Sequence, residues 1–413
     1  MELNLGQLSG NATEIADAGN YTGKISIMTL ETPYPEPTSP PWNGTRCPGW
    51  PPAPVPGCTP APQWNAVSPG PNGTVAGFSG LCYLTGKKMQ ETLAVPIGLI
   101  AGSVGGSPIE LWLPKGVLGG ACPADEPVCD SQGNLTDSQF YEGLVEPFAP
   151  YTLGGVMWDQ GERDVHCFAP ATNKTAQYPC MQRELINTWR EAFKSQFGFV
   201  AIQLPGYLGD CDSVSPLQPY STYYNCVPGV FNMRLAQDMG ASIGVQNATV
   251  VPTYDLSCPF GVVTPECPFG SVHNVNKTIV AIRAAAALLS YLTPASYAFS
   301  PPRISRVTAD PTGHGFWLVA MEFTNGNSLS LQHTQYCELC CRDGVGDFDA
   351  SLDGITFVNG TTPTLSSGKV VFTVGLPTKP RFVRYTANQG FPQCAVVDLK
   401  TQLPALPFTA SVE

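Results

Sequence analysis

Between residues 78 and 292, runs of apolar residues alternate with stretches in helical spacing. Residues 78–93 have helical spacing, and 95–101 form a short apolar run that ends at Gly102-Ser103-Val104-Gly105-Gly106-Ser107. Asp137 sits where it can cap a helix continuing through Phe140, Leu144 and Val145. Residues 154–158 then form a buried-type run, followed by the polar loop Asp159-Gln160-Gly161-Glu162. Residues 181–197 repeat apolar positions at Leu185, Trp189 and Phe193 and lead into a strand over 199–204. A further strand is expected at 249–254, and a long Ala-rich helix at 276–292. After about residue 295 the helical spacing vanishes. Alternating runs replace it at 316–323, 369–374 and 381–385, separated by Gly, Asn and Asp.

Strands alternating with helices predict an α/β fold with a mostly parallel sheet covered by helices. The change of pattern near 295 predicts two domains, 1–294 and a smaller β-rich unit over 295–413. The first is interrupted at 33–71, where 14 of the 39 residues are proline, so no helix can form there. In covered parallel sheets ligands bind beyond the carboxyl ends of the strands. The polar loops after 101, after 158 and before 276 fall at such ends or lead into the last helix.

Composition narrows the setting. Charged residues make up 13% of the 413-residue chain, and the net charge is −11. That balance argues against nucleic acid and against an anionic membrane surface as partners. No run of 18 apolar residues occurs, so no membrane span is expected. Fifteen cysteines are spread along the chain. Nine N-x-S/T sequons accompany them, at Asn11, Asn20, Asn43, Asn72, Asn134, Asn173, Asn247, Asn276 and Asn359. Together they predict an oxidised glycoprotein of the secretory pathway, secreted or lysosomal. The first ten residues carry no basic and apolar leader pattern, which raises the expectation that the N-terminus is incomplete.

Three constellations could carry chemistry. The first is Gly102–Ser107, which nearly fits the G-x-S-x-G elbow around Ser103, although Ala101 stands where its first glycine belongs. Gly105 and Gly106 could instead bring backbone N–H groups up to an oxyanion, or the segment could be a plain turn. The second is Asp159–Glu162, where the amide of Gln160 could donate to an oxyanion with a carboxylate holding it; a solvated loop is the alternative. The third is His273, in a polar loop just before the last helix and the best-placed general base among four histidines. Glu266 and Asp255 are the acids that could orient it. His333, Cys337, Cys340 and Cys341 have spacing that could suit a metal, a redox pair or disulfides, and the export setting favours disulfides.

In this order the segments resemble the sialate O-acetylesterases, a branch of the SGNH-hydrolase superfamily. Residues 95–100 with Gly105-Gly106-Ser107-Pro108-Ile109-Glu110-Leu111-Trp112 are similar to the family's P-I-G-L-I-x-S-S-W-G-G-T-P-I-E-A-W. Residues 158–162 look like its W-Y-Q-G-E. Asp255-Leu256, then 268–273 and Lys277, look like its D-L and P-F-G-S-I-H-P-x-x-K. Val383-Arg384-Tyr385, Cys394 and residues 403–408 are similar to its closing segment. Two departures stand out: the family's E-S-N is Glu162-Arg163-Asp164 here, and its H-P is His273-Asn274.

The resemblance implies an SGNH-like fold and acyl transfer through an acetyl-enzyme, on O-acetylated sialic acid or another acetylated carbohydrate. His273 would be the base, with Gly105, Gly106 and Gln160 stabilising the oxyanion and Glu162 in the substrate-binding loop. No cofactor or metal is implied. The family's nucleophile lies in G-Q-S-N-M, and the register of Met1 implies that this serine precedes the chain. A secreted glycan-binding protein without catalysis is the alternative, and a hydrolase using Ser103 is a third.

Overall fold

The computed structural model describes residues 3–30, 62–123, 138–166, 174–206, 227–256, 273, 276–324, 326–332, 348–387 and 395–413. Its first part contains α1 (Asn11–Asp17), β1 (Ile25–Thr29), β2 (Asn65–Ala66), α2 (Gly80–Leu93) and β3 (Ile97–Ala101). There follow β4 (Gly155–Asp159), α3 (Glu162–His166), α4 (Lys174–Phe193), β5 (Gly198–Ile202), α5 (Val227–Ser242), β6 (Ala248–Val251) and α6 (Lys277–Leu292). β1 pairs in parallel with β3 and antiparallel with β2, while β4, β5 and β6 form a parallel ladder in that order.

Side-chain alternation along these strands explains why both faces are covered. On β5, Phe199 and Ala201 enter the same core as Met28 of β1 and the apolar faces of α4 and α5. Val200 and Ile202, one residue out of phase, join Ile25, Ile27 and Leu99 with the faces of α2 and α6. All five residues of β5 are therefore buried. The expected α/β architecture with a covered, mostly parallel sheet is the one observed.

The expected elements differ from the observed ones in instructive ways. Ser79 caps α2 by accepting a hydrogen bond from the Cys82 N–H at 3.1 Å. The helix expected over 181–197 instead begins at Lys174 and ends at Phe193. Its first turns are held by Tyr178, fully buried despite Pro179 beside it. Lys194 then takes a left-handed φ of 49°, which stops the helix before β5. Helix α5 was not expected, because Pro228, Gly229 and Gly240 weaken its intrinsic propensity. Gly240 is needed for packing: a Cβ there would lie 2.9 Å from Cβ of Gln182 on α4. Phe140, Leu144 and Val145, expected on one helix, are buried together with Phe148, on irregular helical turns through Tyr141–Val145 and Glu146–Phe148. The cap at Asp137 and most of the proline-rich stretch lie outside the described residues.

From residue 304 on, the described structure consists almost wholly of strands and turns. These strands are β7 (Ile304–Gly313), β8 (Phe316–Phe323), β9 (Leu329–Gln332), β10 (Phe348–Ser351) and β11 (Phe357–Asn359). β12 (Thr364–Ser366), β13 (Lys369–Gly375), β14 (Phe382–Tyr385), β15 (Ala395–Asp398) and β16 (Phe408–Ser411) complete the set. Two four-stranded antiparallel sheets, β12-β13-β8-β7 and β11-β10-β14-β16, share one core, and β9 pairs with β15. Every second residue of β8 and β13 faces that core, so Val319 and Met321 meet Val370, Phe372 and Val374. The Phe348 ring stacks on Tyr385 at 4.6 Å and on Phe372 at 5.6 Å between centroids.

The β-rich part is tied to the sheet beneath the site. Tyr254, just after β6, is fully buried in the β-rich core. Its hydroxyl donates to the Ala405 carbonyl at 2.6 Å and lies 3.1 Å from the Tyr385 hydroxyl. Arg303 forms a two-pronged ion pair with Asp238 of α5, both contacts at 2.6 Å. Among the described residues no helix is long and apolar enough to cross a membrane.

A disulfide joins Cys122 to Cys180 of α4, 58 positions apart. It pins the segment after the 105–112 region to the helix that carries Tyr178. Closing a loop of that length restricts the unfolded chain, so Cys122→Ser with Cys180→Ser should lower stability by about 2–4 kcal/mol. Chemical denaturation of the oxidised protein against the double variant measures the difference.

Candidate active site

Because β1, β3, β4, β5 and β6 run parallel within their ladders, the segments after β3, β4 and β6 leave from carboxyl strand ends. After β3 the chain turns at Gly105 and Gly106, both exposed; Gly106 has a φ of 69°, which favours glycine. A Cβ at either would meet nothing within 4 Å, so the backbone at this tip faces open space. Ser107 closes the turn from below. It is buried, its Oγ donates to the Val104 carbonyl at 2.8 Å, and it accepts from Trp112 Nε1 at 3.0 Å. Ser103, the alternative nucleophile, is exposed between the strand and this turn.

The loop after β4 is held from inside. Gln160 is buried, and its Nε2 donates to the Ser107 carbonyl at 2.9 Å and to Asp164 Oδ2. Its Oε1 accepts from the Tyr178 hydroxyl at 2.9 Å, and its main-chain carbonyl accepts from Gln237 Nε2 of α5 at 2.9 Å. Both hydrogens of the amide are thus taken by protein acceptors. In this arrangement Gln160 acts as a clamp on the β3 turn. Burial, and then the neighbouring Asp164 carboxylate, push the Tyr178 phenol well above its usual range, so it stays a donor.

Gly161 gives the loop its shape. Its φ of 135° is a conformation that side-chain-bearing residues avoid, and a Cβ there would lie 3.2 Å from Gln237 Nε2 and 3.4 Å from Leu204 and Met233. Glu162 and Asp164, on the short helix α3, are both buried. Asp164 also accepts from the Ile109 N–H at 3.3 Å, on the chain just beyond the glycine turn.

An ion pair connects this loop to the last helix. Lys277, the first residue of α6, donates to Asp159 Oδ2 at 3.3 Å, and both side chains are largely buried. Burial opposes charge on Asp159 and the Lys277 ammonium favours it; on balance the carboxyl is held below its usual range. His273 is half-buried and lies four residues before Lys277. Asp255, after β6, accepts from Arg283 of α6 through both oxygens, at 2.8 and 2.6 Å, while Arg283 also donates to the Pro252 carbonyl at 2.8 Å. Glu266 lies outside the described residues, as do His333, Cys337, Cys340 and Cys341. Among the described residues, no three His, Cys, Asp or Glu side chains are grouped to hold a metal ion.

Contacts run from the Gly105–Gly106 turn through Ser107 and Gln160 to Asp159, Lys277 and the helix entered from His273. Sequence reading found the loops but missed Asp164 and Tyr178 as the partners of Gln160. Asp164 stands four residues after Gln160 at the start of a helical turn, which was a usable signal; Tyr178 comes from another helix and left none. Below the loops three indoles cluster. Trp158 lies edge-on to Trp112 and Trp189, at 5.5 and 5.7 Å between centroids, and Trp112 is 6.4 Å from Trp189.

Two substitutions test this frame. Gly161→Ala should cost on the order of 1–3 kcal/mol, because the strained φ adds to the crowding. Lys277→Met removes one charged hydrogen-bond donor from the buried Asp159 carboxylate and should cost about 1.5–3 kcal/mol, while Lys277→Met with Asp159→Leu should recover part of the loss. Thermal and chemical denaturation measure both.

No family model matches the chain. A sialate O-acetylesterase of Rattus norvegicus is 26% identical over 389 residues, covering 83% of this chain and 65% of the relative. The sialate O-acetylesterase of Homo sapiens is 30% identical over 218 residues, 50% of this chain and 38% of the relative. The chain therefore spans just under two thirds of the rat relative's length. Among solved structures, a carbohydrate acetylesterase from Xanthomonas citri superposes with a TM-score of 0.71 at 20% identity, over 99% of this chain and 78% of that one. This neighbour shares the fold across both the α/β part and the β-rich part.

Proposed function

We propose that this chain, which belongs to the sialate O-acetylesterase family, hydrolyses O-acetyl esters of carbohydrates by acyl transfer. The observation that carries the reading is the clamp of Gln160 on Ser107. It fixes an exposed Gly105–Gly106 backbone turn, at the carboxyl end of β3, to the loop after β4, which is linked through Asp159 and Lys277 to the helix after His273. Exposed backbone N–H groups on a turn fixed from below suit a developing oxyanion, since they need no rearrangement when charge appears.

In the reaction, a serine hydroxyl attacks the acetyl carbonyl as His273 takes its proton. The carbonyl oxygen becomes the oxyanion, and the Gly105–Gly106 N–H groups stabilise it. As the tetrahedral species collapses, His273 returns the proton to the departing sugar oxygen, leaving an acetyl-enzyme. Water then attacks the acetyl group with His273 again as base, and acetate leaves as the serine is restored. Gln160 serves this step by holding the turn. Glu162 is buried at the start of α3, two residues after Gln160. Asp255, through Arg283, fixes the β6 loop against the helix that follows His273.

The substrate is an O-acetylated sialic acid or a related acetylated sugar, met in the lysosomal lumen or outside the cell. Support for that compartment comes from the Cys122–Cys180 disulfide and from exposed sequons at Asn20, Asn72, Asn247, Asn276 and Asn359.

The test uses the full-length protein secreted from a eukaryotic host, with acetate release measured from O-acetylated sialic acid and from p-nitrophenyl acetate. His273→Ala should lower kcat/KM by about 1,000-fold or more. A fluorophosphonate adduct located by mass spectrometry identifies the attacking serine, with Ser103→Ala as the control for that residue. Separate Glu266→Gln and Asp255→Asn variants show which carboxylate orients His273, by which of them loses kcat. No acetate release, or full activity in His273→Ala, would sink the reading.

A further inference from the structure

We infer that Asp164 is a positioning residue for ester hydrolysis: its buried carboxylate locks the Gln160 amide and the Ile109 N–H, and so sets the Gly105–Gly106 turn. The inference rests on the esterase reading of the site, and it concerns a position where this chain departs from the family pattern, Glu162-Arg163-Asp164 standing for E-S-N. That departure invites the idea of an altered substrate contact. The structure places Asp164 elsewhere, fully buried on α3 beneath the loop.

Three observations converge on the role. First, Asp164 Oδ2 accepts from Gln160 Nε2 and, at 3.3 Å, from the Ile109 N–H. One oxygen therefore ties the loop after β4 to the chain that leaves the glycine turn. Second, the Gln160 amide cannot flip to serve other partners. The Ser107 carbonyl and the Asp164 carboxylate only accept, so they must face Nε2, and Oε1 is left to accept from the Tyr178 hydroxyl. Third, the second hydrogen of the same Nε2 reaches the Ser107 carbonyl at 2.9 Å, one residue past Gly106. Without an acceptor at Asp164, the amide loses one of its three side-chain partners, and the turn loses its hold at Ile109 and part of the restraint behind Ser107. Buried donors left without acceptors then drive the loop to rearrange. The acceptor oxygen carries the role. Asparagine supplies one and leucine does not.

The experiment compares the full-length protein with Asp164→Leu and Asp164→Asn by steady-state acetate release and by hydrogen–deuterium exchange of peptides covering 102–112. Asp164→Leu should lower kcat on the order of 10–100-fold with KM changed less than about twofold, since misplacing a group by an ångström costs about that much. Exchange over 102–112 should rise at least about tenfold, while peptides from 316–323 and 369–375 keep their protection. Asp164→Asn should stay within about threefold of the parent in both readouts. Unchanged exchange over 102–112 in Asp164→Leu overturns the inference, and so does a loss in Asp164→Asn as large as in Asp164→Leu. Should Asp164→Leu fail to fold, Asp164→Ser, which places an oxygen too short to reach Gln160, takes its place with the same expected losses. If the parent protein releases no acetate, the esterase reading fails, while the exchange result still decides whether Asp164 holds the turn.

Discussion

One primary amide organises the polar half of this molecule. Gln160 follows β4 directly, at the point where a parallel strand must leave the core and its backbone groups need new partners. Its side chain and carbonyl meet Ser107 from the β3 turn, Asp164 from α3, Tyr178 from α4 and Gln237 from α5. A buried amide with each of its groups paired is stiff, because any rotation leaves a donor or acceptor unmatched in a medium that punishes the mismatch. Four elements that share no backbone hydrogen bonds at this point are thereby fixed relative to one another. The exposed glycine turn owes its definition to that junction, since Gly105 and Gly106 have no side chains with which to hold themselves.

The apolar periodicities made the fold legible. The strands at 97–101, 155–159, 198–202 and 248–251 overlap the apolar runs that marked them, with ends shifted by up to three residues, and the helices at 80–93 and 277–292 lie within the segments of helical spacing. What escaped was set by tertiary context. α5 packs against α4 through Gly240, a residue that by propensity argues against a helix. α4 extends back past Pro179 because Tyr178 is wanted in the core. At the site, Gly105, Gly106, Gln160 and Glu162 were visible as a pattern of loops after strands. The identity of the groups that hold them was not, because a hydrogen bond between Gln160 and a tyrosine 18 residues further on leaves no periodic trace in the chain.

The β-rich part is more than an appendage on the α/β part. Tyr254 leaves β6, on the strand set that carries the site, yet its ring is buried among strands of the other part and its hydroxyl closes on Ala405 and Tyr385. Leu406, one residue further, enters the core that also contains Trp158 and Tyr178. The chain is thus laced in both directions, with Arg303 and Asp238 as an ionic stitch at the rim. The segment between β6 and α6, which includes His273, departs from a point fixed by both parts at once. Its starting geometry depends on residues more than a hundred positions downstream.

The three indoles under the glycine turn have an optical consequence. Trp158 immediately precedes Asp159 and Gln160, and Trp112 donates to Ser107, so two of the three chromophores are bonded, directly or through the chain, to the parts that define the turn. At 5.5–6.4 Å between ring centres, their excited states are near enough to couple. The near-ultraviolet circular dichroism and emission of the protein therefore carry a signal weighted toward a few ångströms of structure beneath the site. A shift in the turn is written into the spectrum of the native chain, with no dye or label attached.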